Sequence, residues 1–107
     1  MKYGELAQTR IDLGSGRDAV YFTAHDDAEQ LGEVIGLIET HPLQRVFDDR
    51  PAGAECAGVV FFDVPGNEVD RPKWTVECWE PLTLSPSILC GLCGNHGFIR
   101  GGRWVEA

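Results

Sequence analysis

Two thiols and an imidazole fall close together near the C-terminus, in the segment Cys90-Gly-Leu-Cys93-Gly-Asn-His96. A Cys-x-x-Cys pair can bend back until both sulfurs face one point, and a glycine after the second cysteine eases that turn. Zinc takes four such donors in a tetrahedron, with sulfur about 2.3 Å and nitrogen about 2.0–2.1 Å from the metal. His96, three residues past Cys93, can supply an imidazole from the same loop. Cys78 ends an alternating segment expected to pair beside the closing hairpin, which makes it the best fourth donor. Its other reading is a small buried core residue. The expected site is thus a structural zinc held by Cys78, Cys90, Cys93 and His96. Cys56 lies at the lip of an apolar run and reads as core. His25 and His41 flank a helix-like segment and read as surface or capping residues.

Other chemistries fit these residues less well. A thioredoxin-like redox pair belongs between a strand and a helix, whereas this pair precedes a hairpin. A catalytic zinc keeps one position open for water and places a carboxylate base nearby, and the motif has no Asp or Glu within reach. Neither His-Glu-x-x-His nor His-x-Glu occurs, and Gly14-Ser-Gly16 is a turn without the lysine of a phosphate loop. No catalytic residue is assigned and the chain is read as non-enzymatic.

The elements that must hold this site are short. Lys2 to Leu13 suggests one or two strands, and Ala19 to Ala24 supplies the β-branched and aromatic residues of another. One helix is expected from His25-Asp-Asp to Thr40. Asp26, Asp27 and Glu29 suit the positive end of its dipole, and Leu31, Val34, Ile35 and Ile38 follow the i, i+3, i+4, i+7 spacing. Gly32 and Gly36 weaken that helix by roughly 1 kcal/mol each. Asp48 to Glu55 reads as a polar loop. Gly58-Val-Val-Phe-Phe-Asp63 reads as a strand buried on both faces, and Trp74, Val76 and Cys78 alternate as another. Gly101-Gly102 between Phe98-Ile-Arg and Arg-Trp-Val105 marks a two-residue hairpin, with Ile99 opposite Trp104 and Arg100 opposite Arg103. The fold class expected is α+β: a small, mainly antiparallel sheet with one packed helix and a C-terminal zinc knuckle plus hairpin. All of it forms one domain over 1–107, with 1–80 the body and 81–107 the knuckle and hairpin.

The chain has 107 residues, 43% of them hydrophobic and 24% charged, with 13 glycines and 6 prolines. That is room for one marginally sized core with many turns. Seventeen acidic residues against nine basic ones give a net charge of −8. Nucleic-acid binding draws mainly on Lys and Arg, so it is disfavoured, as is an anionic membrane surface. No apolar run reaches the length of a membrane span, and the N-terminus lacks a signal-peptide pattern. A reducing cytoplasm follows, where four cysteines are better explained by metal than by disulfides.

The segment from Pro81 to Ala107, with Pro-Ser-Ile, Cys90-x-x-Cys93-Gly-x-His96-Gly-Phe-Ile and the Gly…Trp104 hairpin, resembles a family of small proteins of unknown function. These are common in bacteriophages of actinobacteria and look related to a wider bacterial family. The resemblance covers the last quarter of the chain. It implies Cys93 and His96 as ligands, Cys90 as the phage-type partner and a phage source, without an activity. The expected role is a phage accessory protein whose zinc supports a protein-binding surface around Trp74, Trp79 and Trp104. Its partner would be a virion or host protein, and its place the host cytoplasm or the particle. The rival readings are an inhibitor presenting Asp26, Asp27, Glu29 and Glu33 on a helix face, and a zinc hydrolase.

Overall fold

The computed structural model describes residues 1–24, 32–43 and 54–107. Among these, strands dominate: β1 (Arg10–Gly14), β2 (Arg17–Thr23), β3 (Val34–Pro42), β4 (Glu55–Phe62), β5 (Lys73–Trp79), β6 (Leu82–Ser85), β7 (Ile88–Leu89), β8 (His96–Arg100) and β9 (Arg103–Glu106). The one helical element among them is a 3₁₀ turn at Tyr3–Glu5. Strands β1 to β6 form one curled sheet in sequence order, a half-barrel, and β7 to β9 form a second, three-stranded sheet. No helix among the described residues is long and apolar enough to cross a membrane.

The α+β expectation is therefore corrected to an almost all-β fold without a packed helix. The error lies at Val34–Thr40, which is strand β3 between β2 and β4 rather than the end of a helix. Val34-Ile-Gly-Leu-Ile38 is a nearly continuous, β-branched apolar run, and a strand buried on both faces satisfies it as well as a helical stripe does. Gly36 settles the choice. A side chain there would collide with the Val60 carbonyl oxygen and the Phe22 ring, so β3 needs glycine for close approach to its neighbours. The expected helix start at His25, Asp26, Asp27 and Glu29 lies outside the described residues. Glu33, the remaining member of the proposed acidic helix face, forms an isolated β-bridge with Lys2.

The main core draws on both sheets. Leu13, Tyr21, Val34, Leu37, Val60, Phe62, Leu82 and Leu84 are buried there, joined by Ile88, Ile99 and Trp104 of the smaller sheet. Trp79 and Tyr21 pack edge-on against Phe62, with ring centroids 5.5 and 6.3 Å away. The closing hairpin pairs Ile99 with Trp104 and Arg100 with Arg103, the register that its Gly101-Gly102 turn demands. Both glycines have positive φ, 58° and 75°, as such a turn requires. Trp74 ties the sheets together, its indole Nε1–H donating to the Ser87 carbonyl at 3.1 Å.

Candidate metal centre

The two sheets also meet at a compact group of metal-binding side chains. His41, Cys56, Cys90 and Cys93 place one donor atom each so that all four lie within 4.8 Å of one another. His41 and Cys56 are direct partners across the antiparallel β3–β4 pair. Residues directly opposite in such a pair hold their side chains on one face, with Cβ atoms about 4.5–5.5 Å apart. Cys90 and Cys93 come from the loop that joins β7 to β8. That loop is a tight knuckle: the Gly94 amide donates to the Cys90 carbonyl at 2.9 Å, and the Cys90 amide to the Asn95 carbonyl at 2.8 Å. Gly94 takes φ of 75°, the left-handed region that suits glycine, and so turns the chain back after the second thiol.

The donors stand at spacings that a metal ion would bridge. Cys56 Sγ and Cys90 Sγ are 3.7 Å apart, and His41 Nε2 and Cys93 Sγ are 3.2 Å apart. Two sulfurs bound tetrahedrally to one zinc would stand about 3.8 Å apart at ordinary bond lengths. None of the four cysteines is in a disulfide. His41, Cys56 and Cys93 are buried, and Cys90 is half-buried. Burial, and then the hydrogen bond to the Cys90 thiol, push the Cys56 thiol up to about 11. Close-set thiols of this kind resist ionisation in a metal-free pocket, and a cation at their centre removes that resistance.

The supporting residues are arranged as a ligand histidine requires. His41 Nδ1 lies 2.8 Å from each carboxylate oxygen of Glu39, two positions earlier on β3. A carboxylate only accepts, so the proton belongs on Nδ1 and the Nε2 lone pair is left facing the thiols. A carboxylate on the far nitrogen fixes tautomer and ring orientation in many metal-bound histidines. Glu39 is held in turn by Arg17 of β2, Nη1 to Oε1 at 3.1 Å, with both side chains buried. Arg17 then reaches the other sheet. Its Nη2 donates to Asn95 Oδ1 in the knuckle and approaches Glu106 Oε1 at 3.5 Å, and its guanidinium lies 4.1 Å from the centre of the Trp104 ring. Metal donors and their supports thus form one buried chain, from β2 and β3 through the centre into the knuckle and β9.

Of the ligands expected from the sequence, the structure brings Cys90 and Cys93 into the group. It leaves Cys78 and His96 out of it. Cys78 is exposed on β5, opposite Thr83 of β6, so it neither binds the centre nor fills the core. His96 is exposed at the start of β8, with Nε2 2.8 Å from Ser87 Oγ. At the start of β8 His96 stands opposite Leu89, with its imidazole on Ser87 and not in the thiol group. His41 and Cys56 take their places, and His25 lies outside the described residues. No local sequence signal marks His41 and Cys56 as partners, because they meet only through the β3–β4 register. Searches of protein-family models, curated proteins and solved structures find no match to this chain.

Proposed function

We propose that the chain is a non-enzymatic binding protein whose two sheets are fastened by one structural zinc ion on His41, Cys56, Cys90 and Cys93. The observation that carries this reading is the donor set itself: three sulfurs and one imidazole, with the imidazole's other nitrogen on a buried carboxylate. Soft thiolates with one histidine favour zinc, and four protein ligands leave no position for a reactive water. A closed site of this kind holds structure, which supports a binding role over hydrolysis. The resemblance of Pro81 to Ala107 supports a phage accessory protein with a virion or host protein as partner.

The test compares the zinc-loaded and chelated protein by near-UV circular dichroism and by assay with generic ester and phosphate-ester substrates. Loss of tertiary signal on chelation, without hydrolysis by the loaded form, is expected. Zinc-dependent turnover, or a tertiary signal indifferent to chelation, contradicts the reading.

A further inference from the structure

Strand β4 is paired along only part of one edge. Its neighbour β3 lies against it from Glu55 to Phe61, but the parallel register with β5 is confined to Phe61 and Phe62. From Glu55 to Val60, alternate N–H and C=O groups therefore face away from β3, with no strand partner among the described residues. A second free edge lies nearby. β7 is the outermost strand of the small sheet and, among the described residues, pairs only with β8. A groove of about 360 Å³ is lined by both edges, from Ala57–Val60 on one side to Ile88–Leu92 on the other, with Trp74 and Trp104 also in its walls. That volume falls in the range of ordinary ligand pockets. Its rim is apolar yet uncovered: Val59 is 50% exposed, Leu89 63% and Leu92 55%.

Unpaired strand edges are templates for an added strand, and natural proteins usually blunt them with charge, proline or a covering loop. Here the groove side of the edge carries Ala57, Gly58 and Val59 instead. Its two ends are acidic, with exposed Glu55 at the start of β4 and exposed Asp63 just past its end. Several of the described cations are engaged by other groups, Arg10 by Asp18 among them. Arg17 is buried against Glu39, and Lys73 Nζ donates to the Asn67 carbonyl at 2.9 Å. Arg100 and Arg103 belong to the turn end of their hairpin, whereas β7 pairs with its opposite end.

We infer that the groove between β4 and β7 binds an extended peptide segment of a partner protein, apolar at alternate positions and carrying a lysine or arginine at its end. Backbone pairing to β4 supplies affinity, and side chains entering toward Trp74 and Trp104 supply selectivity. The acidic ends of β4, on a chain of net charge −8, draw in the basic residue. The inference rests on the binding role proposed above and names the class of partner. The metal centre bears on it directly, because His41 and Cys90, two of its donors, also line the groove and zinc would fix the distance between them.

The experiment selects a random ten-residue peptide display library on the zinc-loaded protein, with zinc content measured on the same preparation. Enriched peptides should alternate apolar residues and carry a terminal basic residue. A synthetic peptide of the enriched sequence should slow amide exchange at Ala57–Val60. Its affinity should fall at least tenfold for Leu89→Lys, an exposed position that the fold tolerates, and likewise when alternate peptide amides are N-methylated. Enrichment of helical or acidic sequences, binding indifferent to N-methylation, or zinc-loaded protein that enriches nothing would overturn the groove assignment and leave the zinc reading standing. A preparation without zinc overturns both.

Discussion

His41 can bind metal only while its proton stays on Nδ1, and Glu39 is the group that keeps it there. In Glu39→Gln the amide oxygen still accepts that hydrogen bond but brings no charge to the imidazole. Metal affinity is expected to fall 10–100-fold, read by competition with a chromophoric chelator; unchanged affinity would contradict the role assigned to Glu39. Arg17 is the next link. Removing it in Arg17→Ala strands the buried Glu39 carboxylate, at a cost of about 3–5 kcal/mol in urea unfolding. Cys78 is the internal control, since it is exposed and lies outside the centre. Mild alkylation of the zinc-loaded protein should modify Cys78 alone, with Cys56, Cys90 and Cys93 reacting after chelation. Only half of the donor set was legible in the sequence, because the Cys-x-x-Cys-Gly spacing carries Cys90 and Cys93 locally. His41 and Cys56 are fifteen positions apart in sequence and meet only through strand register, which no short motif encodes.

At the scale of elements, the knuckle is ordered by two backbone hydrogen bonds and the left-handed Gly94, with the metal donors on either side. Chelation should free amide exchange at Cys90–Asn95 first, while β2 and β3 stay protected by their long antiparallel register. Equal deprotection of both would show that the centre does not act locally. Gly94→Ala forces a side chain into φ of 75° and is expected to destabilise the domain by about 1 kcal/mol or more. The sequence announced elements whose signal is local: the Gly101-Gly102 hairpin, the alternation of Trp74, Val76 and Cys78, and the apolar run of β4. It misled at β3, where Val34, Ile35 and Ile38 satisfy a helical period and a buried strand equally. The deciding fact, Phe22 and Val60 pressing on Gly36, belongs to tertiary structure.

Across the whole molecule, two sheets share one apolar core and meet at its edge in the His41, Cys56, Cys90 and Cys93 group and in the contacts of Arg17. A domain of this size has little stability to spare, so one closed metal site should matter to it. Acid should undo that contribution. The metal-free state keeps a proton on Cys56, whose thiol is raised to about 11, whereas the metal-bound state has released it. The bound state therefore carries fewer protons, its stability rises with pH, and it is lost as protons displace the metal on acidification. Thermal unfolding of the zinc-loaded protein should thus shift downward with falling pH more steeply than that of the chelated form. Parallel curves would contradict the proton linkage.

X-ray absorption at the zinc edge of the purified protein tests the central claim most directly. One zinc per chain is predicted, with three sulfurs at about 2.3 Å and one nitrogen at about 2.0–2.1 Å, unchanged in Cys78→Ser and His96→Ala and lost in Cys56→Ser. Absence of bound zinc, or a ligand set altered by Cys78→Ser or His96→Ala but not by Cys56→Ser, would contradict it.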